Sequence, residues 1–255
     1  MKEKVIELVR RAGRKLLTGE GRTVEVKEGI GNYVTELDKA LQEQLREELS
    51  ALLPEAGFQG EEGGKTQIDG LRWIVDPIDG TTNFVRNLHY SCVSVALAQD
   101  NTPLLGVVYN PYLDLCYSAQ QGKGAFCNGI PLSVSENNLG HSLVSVGFTA
   151  YEREQTDRMF RLFRSLFDHC EDIRSFGSAA LDLCNLGAGA LDVFTELQLH
   201  PWDYAAAACI ITEAGGVISD LSGNPLPLDH ASGVLAGNKA NYTQVLPLCR
   251  EAVGE

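Results

Sequence analysis

The chain of 255 residues is 44% hydrophobic and 22% charged, the balance of a globular protein long enough for one large core or two closely joined halves. Its 34 acidic residues outnumber 21 basic ones, for a formal charge of −13, and no basic stripe is present, which argues against a nucleic acid substrate. An acidic protein that acts on an anionic small molecule needs added cations, which metal ions supply.

Val5, Leu8, Val9, Ala12, Leu16 and Leu17 recur at helical spacing and predict a first helix with one apolar stripe. A glycine-rich, mobile hairpin or loop is expected over 24–34, then a second helix over 37–53 that stops before Pro54. Strands are predicted over 71–75, 90–98, 104–109 and 115–118, with Asn128-Gly129 as a tight turn between short strands. Beyond about residue 140, strands over 142–146, 172–174, 193–196 and 217–220 alternate with helices over 153–167, 179–188, 204–214 and 239–251. No Pro-, Gly- or Ser-rich linker and no internal repeat divides the chain. One unit with two layered sheets is expected, its N-terminal half about 1–140 and its C-terminal half about 141–255.

Cys92, Cys116, Cys127, Cys170, Cys184, Cys209 and Cys249 include no C-x-x-C pair, and an odd count fits no closed disulfide framework, so they read as buried thiols of a reducing compartment. The first residues, Met-Lys-Glu-Lys-Val-Ile-Glu, are charged where a signal peptide is apolar, and no stretch approaches the length of a membrane span. A cytoplasmic protein with no membrane partner is expected.

Residues 73–84 read Trp-Ile-Val-Asp-Pro-Ile-Asp-Gly-Thr-Thr-Asn-Phe, an apolar strand that delivers Asp76 and Asp79 either side of a proline. Two carboxylates this close repel each other, and a shared cation relieves the repulsion. Pro77 cannot extend a ladder, so the chain is expected to leave the sheet there. Gly80 permits close backbone approach, and Thr81 and Thr82 open a helix whose first N–H groups favour phosphate oxygens. Three further acidic elements stand at element boundaries: Glu61-Glu62 between glycines, Asp38 after Val34-Thr35, and Asp203 in His200-Pro201-Trp202-Asp203. Each is explicable singly as a solvated turn or a helix cap, but ordinary capping does not require all of them together.

The sequence resembles the inositol monophosphatase family, within the lithium-sensitive, magnesium-dependent phosphatase superfamily that includes fructose-1,6-bisphosphatases. The resemblance rests on Val34-Thr-x-x-Asp38, Gly60-Glu61-Glu62, Trp73 through Phe84, Gly177-Ser178-Ala179-Ala180, and Trp202-Asp203 with Glu213-Ala-Gly-Gly216, in the family's order over nearly the whole chain. It implies an α+β or α/β fold, a layered α-β-α-β-α sandwich, and a homodimer. It also implies two or three Mg²⁺ ions. Glu61, Asp76 and the Ile78 carbonyl would hold the first; Asp76, Asp79 and Asp203 the second; a third, weaker ion would lie near Glu61. Water would attack phosphorus in line, oriented by Glu61 and helped by Thr81 and Asp38 as a hydroxyl–carboxylate dyad, with backbone N–H groups of Gly80 and Thr81 on the phosphate. Asp79, the Gly177-Ser178-Ala179 turn, Glu196 and Asp203 would meet the hydroxyls of an inositol. The five histidines, His89 and His200 among them, are read as structural.

One departure stands out: the loop over 27–35 is one residue longer than the family's, and Asn32 lies near the place of an aspartate, which weakens the expected third ion site and lithium inhibition. Inositol-1-phosphate is the leading substrate, supported by Thr82-Asn83-Phe84 and Glu196. Fructose-1,6-bisphosphate, histidinol phosphate and a 3′-phosphoadenosine nucleotide remain alternatives within the fold. A metal-binding regulatory protein without catalysis is a further one.

Overall fold

The computed structural model describes residues 1–19, 21, 23–26, 33–63, 70–148 and 153–254. The first apolar stripe forms α1 (Lys2–Gly13), which buries Val5, Val9 and Ala12. Its expected continuation is a 3₁₀ turn (Arg14–Leu17) that buries Leu16 and turns Leu17 outward. β1 (Val24–Val26) and β2 (Tyr33–Thr35) pair antiparallel; Lys27 to Asn32 between them lie outside the described residues, so the departure noted at Asn32 does too. Thr35 begins α2 (Glu36–Leu52) with a reciprocal cap, its hydroxyl accepting the Asp38 N–H while the Asp38 carboxylate accepts the Thr35 N–H at 2.8 Å.

The strands that follow build one seven-stranded sheet in chain order: β3 (Gly57–Gly60), β4 (Leu71–Asp79), β5 (Cys92–Gln99), β6 (Thr102–Asn110), β7 (Leu115–Gln120), β8 (Ala125–Cys127) and β9 (Ile130–Pro131). Only the β3–β4 pair is parallel. The short helix α3 (Thr81–Val85) lies between β4 and β5. The second sheet has the order β11-β10-β12-β14-β13, from β10 (Leu143–Val146), β11 (Asp172–Arg174), β12 (Val193–Leu199), β13 (Val217–Ser219) and β14 (Ser232–Gly237). Its connections are α4 (Thr156–Phe167), α5 (Ala179–Gly187) and α6 (Pro201–Glu213), and α7 (Lys239–Val253) follows β14.

Alternation along the strands sorts the core into three slabs. Trp73, Val75, Val107 and Tyr109 face α1 and α2. Ile74, Val108, Phe194, Val234 and Ala236 face α5 and α6, which fill the space between the sheets. Val193 and Leu235 face α4 and α7 on the far side. The result is the helix–sheet–helix–sheet–helix order anticipated from the sequence. α6 lies so close to the first sheet that a Cβ on Gly106 would sit 2.1 Å from the Ala206 carbonyl oxygen. Glu213, in the last turn of α6, accepts the Gly122 and Gly124 N–H groups at 2.7 Å each, which fixes the β7–β8 turn to that helix.

Candidate active site

β4 does not end at Pro77. Asp76 pairs with Ser94 and Asp79 with Cys92, three residue steps on one strand against two on the other, so a bulge absorbs Pro77-Ile78 and the strand continues to Asp79. The proline's missing N–H is tolerated because the bulge leaves that position out of the ladder. The bulge aims both carboxylates towards one space, and Asp76 Oδ1 accepts the Ile78 N–H at 2.9 Å. Glu61 arrives beside them because β3 runs parallel to β4: Gly60 pairs with Val75, and the Glu61 N–H donates to the Val75 carbonyl at 3.3 Å. Gly80 then turns the chain in the left-handed region, φ 84°, where a Cβ would lie 3.0 Å from the Tyr90 carbonyl and 3.1 Å from that of Gly177.

The second sheet supplies the opposite wall. Ser178 caps α5 and its hydroxyl donates to Asp79 Oδ2, which also accepts the Ala180 N–H at 2.9 Å. Glu196 sits on β12 just before a second bulge, between Glu196 and Leu199. Asp203 comes from α6, which begins at Pro201 rather than at the Tyr204 expected; proline is favoured at the first helical position. The cap is His200, and Asp203 accepts its N–H at 2.7 Å from inside the first turn. His200 stacks on Trp202 at 4.6 Å and His89 on Tyr112 at 5.0 Å.

Asp76, Asp79 and Asp203 each offer one oxygen within 4.8 Å of the others. Burial raises the pKa of all three above the ordinary carboxyl range; the charges of Glu61, Asp79, Asp203 and Asp38 add to the effect at Asp76, and those of Asp79 and Glu61 at Asp203. At Asp79 the hydrogen bonds from Ser178 and Ala180 oppose it. The carboxylates line a cleft of about 190 Å³, smaller than the roughly 300 Å³ at which drug-sized sites begin. Six carboxylates line it, from Glu61, Asp76, Asp79, Asp182, Glu196 and Asp203, and among the described residues no lysine, arginine or histidine does.

Ile78, Gly80, Thr81, Gly177, Ser178 and Ala179 line the same cleft. Asp38 is not in that lining, although its charge reaches Asp76. Thr81 Oγ1 donates to the Ile78 carbonyl at 2.9 Å, while the Asp38 carboxylate is engaged by Thr35, so the described contacts do not join the two as a hydrogen-bonded pair. Of Thr82-Asn83-Phe84 only Thr82 faces the cleft. Asn83 clamps the Tyr90 and Phe176 carbonyls at 2.8 and 2.7 Å, and Phe84 is in the core. Sequence reasoning missed Tyr33, Gly147, Phe148 and Asp182 in the lining. Asp182 carried a signal, an acid within the apolar run Ala179-Ala-Leu-Asp-Leu-Cys184; the structure buries it between Tyr90 and Ser145, whose hydroxyls donate to it at 2.6 and 2.7 Å.

The sequence matches the inositol monophosphatase family over residues 1–253. The chain belongs to that family. It is 38% identical to inositol monophosphatase 3 of Solanum lycopersicum over 232 residues, covering 88% of this chain and 87% of the relative. A fructose-1,6-bisphosphatase/inositol-1-monophosphatase of Aquifex aeolicus is 34% identical over 225 residues, 88% of this chain and 84% of its own. The crystal structure of extragenic suppressor protein suhB from Bartonella henselae superposes with a TM-score of 0.89 at 32% identity, covering 97% of each chain. As a member of the inositol monophosphatase family the protein is a phosphoric monoester hydrolase. Among the described residues no helix is long and apolar enough to cross a membrane.

Proposed function

We propose that the protein hydrolyses inositol-1-phosphate to myo-inositol and phosphate with the help of Mg²⁺. The observation that carries this reading is a phosphatase cleft lined by six carboxylates and, among the described residues, by no cationic side chain. Those carboxylates repel a phosphate ester, and divalent cations that enter with it would relieve the repulsion. The donor set suits them: carboxylates and a backbone carbonyl are the hard oxygen ligands that Mg²⁺ prefers, and among the described residues the clustered ligands Asp76, Asp79 and Asp203 include no histidine or cysteine. Glu61, Asp76 and the Ile78 carbonyl would hold one ion and Asp76, Asp79 and Asp203 another, with a third, weaker one near Glu61. The Ile78 carbonyl keeps a second lone pair for this while accepting from Thr81. Bound there, the ions would supply positive charge to the phosphate oxygens and to the leaving alkoxide.

The chain's own groups do the rest. Glu61 accepts a hydrogen bond from the attacking water and sets its line to phosphorus; Thr81 Oγ1, turning its proton from Ile78 to Asp38, accepts a second hydrogen bond from that water. The Gly80 and Thr81 N–H groups bind phosphate oxygens. Asp79, Glu196, Asp203 and the Gly177-Ser178-Ala179 turn accept and donate to the inositol hydroxyls. A bisphosphate is disfavoured because its second phosphate would find no basic partner in the described lining. Lithium inhibition and a homodimer belong to the same reading and rest on the family likeness; a cytoplasmic location rests on seven free cysteines.

The test is phosphate release from a panel of phosphate esters with and without Mg²⁺, for the wild type and Asp76→Asn. Activity should require Mg²⁺, favour inositol-1-phosphate, and nearly vanish in the variant without full rescue by raised Mg²⁺. Turnover like the wild type's in Asp76→Asn would sink the two-ion reading.

A further inference from the structure

Phe148 has a position that hydrolysis of a phosphate group does not explain. The Gly147 N–H donates to the Thr195 carbonyl at 3.1 Å, so pairing with β12 runs one residue past the end of β10 and leaves Phe148 on the rim of the cleft, whose wall it forms. From behind, α4 fixes the ring. Phe163, which is buried, meets it nearly at right angles, 81°, with centroids 5.1 Å apart, and Phe160 meets it at 61° and 6.0 Å. Despite this support Phe148 stays 44% exposed. A large ring held in one plane with an uncovered side is binding surface in search of an apolar partner.

Its neighbour indicates which partner. A Cβ on Gly147 would lie 1.7 Å from Glu196 Oε2, so the Glu196 carboxylate rests against the bare backbone of residue 147, one residue from the ring. Glu196, an acceptor of hydroxyl hydrogen bonds, and Phe148, an aromatic residue, both line the cleft. A ring alcohol has the matching surface, with hydroxyls around its edge and C–H bonds on its faces; an open-chain alcohol has no such rigid apolar face.

We propose that Phe148 is a specificity-determining residue, the platform on which the carbon ring of the substrate's alcohol lies while Glu196 takes its hydroxyls. The proposal deepens the polyol reading above and rests on it. It makes the enzyme selective for esters of cyclic alcohols over those of acyclic ones, by binding and not by chemistry.

The experiment compares wild type, Phe148→Leu and Phe148→Tyr at saturating Mg²⁺ on inositol-1-phosphate and on glycerol-2-phosphate. Phe148→Leu keeps apolar bulk against Phe160 and Phe163 but loses the flat face, and should raise KM for inositol-1-phosphate about tenfold, the order of a lost apolar contact, with kcat within about twofold. KM for glycerol-2-phosphate should not move, and Phe148→Tyr should behave like the wild type on both. Equal losses on the two esters, or no loss on either, overturn the platform. The wild-type panel separates this from the inositol reading: if another ring phosphate proves the better substrate and the Phe148→Leu penalty follows it, the inositol assignment falls and the platform stands. A wild type that turns over acyclic esters alone overturns both.

Discussion

Glu196 and Gly147 occupy one space, since the glutamate carboxylate lies where a side chain at 147 would begin. A buried acceptor separated from its partner costs roughly 1–3 kcal/mol, so Glu196→Ala should lower kcat/KM for inositol-1-phosphate about tenfold or more. Gly147→Ala should reproduce that loss by displacing the carboxylate. A simple aryl phosphate, which has no hydroxyls to offer, should be hydrolysed almost as before by both variants. Equal loss on both esters would instead make Glu196 a support of the acidic cluster or of the fold. At this scale the sequence was most legible where chemistry is consecutive. Asp76, Asp79, Gly80 and Thr81 sit within six residues and all face the cleft. Phe148 and Gly147 were not legible, because a glycine–phenylalanine pair acquires meaning only from what β12 and α4 place beside it.

Two bulges, at Asp76/Asp79 and at Glu196/Leu199, bend β4 and β12 at the cleft. Period-two patterning could not find them, and proline's missing N–H led instead to a strand expected to leave the sheet at Pro77. β3 and β14 escaped for a related reason. Gly57-Phe-Gln-Gly60 and Ser232-Gly-Val-Leu-Ala-Gly237 contain two glycines each and no element is predicted there, yet they pair with neighbouring strands. Helices with long apolar faces were found readily, since that signal spans several turns. α6 shows how an element carries the site: Asp203 projects from its first turn while Gly106 allows its middle to touch β6. Gly106→Ala would place a methyl group 2.1 Å from backbone oxygen, which cannot rotate away. The helix must shift, costing about 1–3 kcal/mol as overpacking does. A lower midpoint in urea unfolding and a higher Mg²⁺ requirement should appear together; a drop in stability alone would mean that Asp203 does not report on the seating of α6.

For the molecule as a whole the net charge is −13, and six of its 34 acidic side chains line the cleft. Asp76, Asp79 and Asp203 have pKa values raised above the ordinary 3.8, so the folded protein holds more protons than the unfolded one between that value and the raised ones. Stability of the metal-free protein should therefore fall as pH rises through that window. Added Mg²⁺ should offset the fall, and the concentration for half-maximal activity should decrease with rising pH because fewer protons must be displaced. Thermal unfolding from pH 4.5 to 8, with and without Mg²⁺, checks both; a metal-free profile that climbs with pH would remove the acids from the account. A last consequence comes from Asp79, whose Oδ2 accepts from Ser178 and Ala180 while the residue also faces Asp76 and Asp203. One carboxylate thus belongs both to the proposed ion site and to the turn proposed to read the alcohol, so the two ligands share a free energy of coupling. Reciprocity then demands that myo-inositol tighten Mg²⁺ by the same factor by which Mg²⁺ tightens myo-inositol. Paired titration calorimetry measures that factor from either side, and a value of one would leave Asp79 serving two masters without any conversation between them.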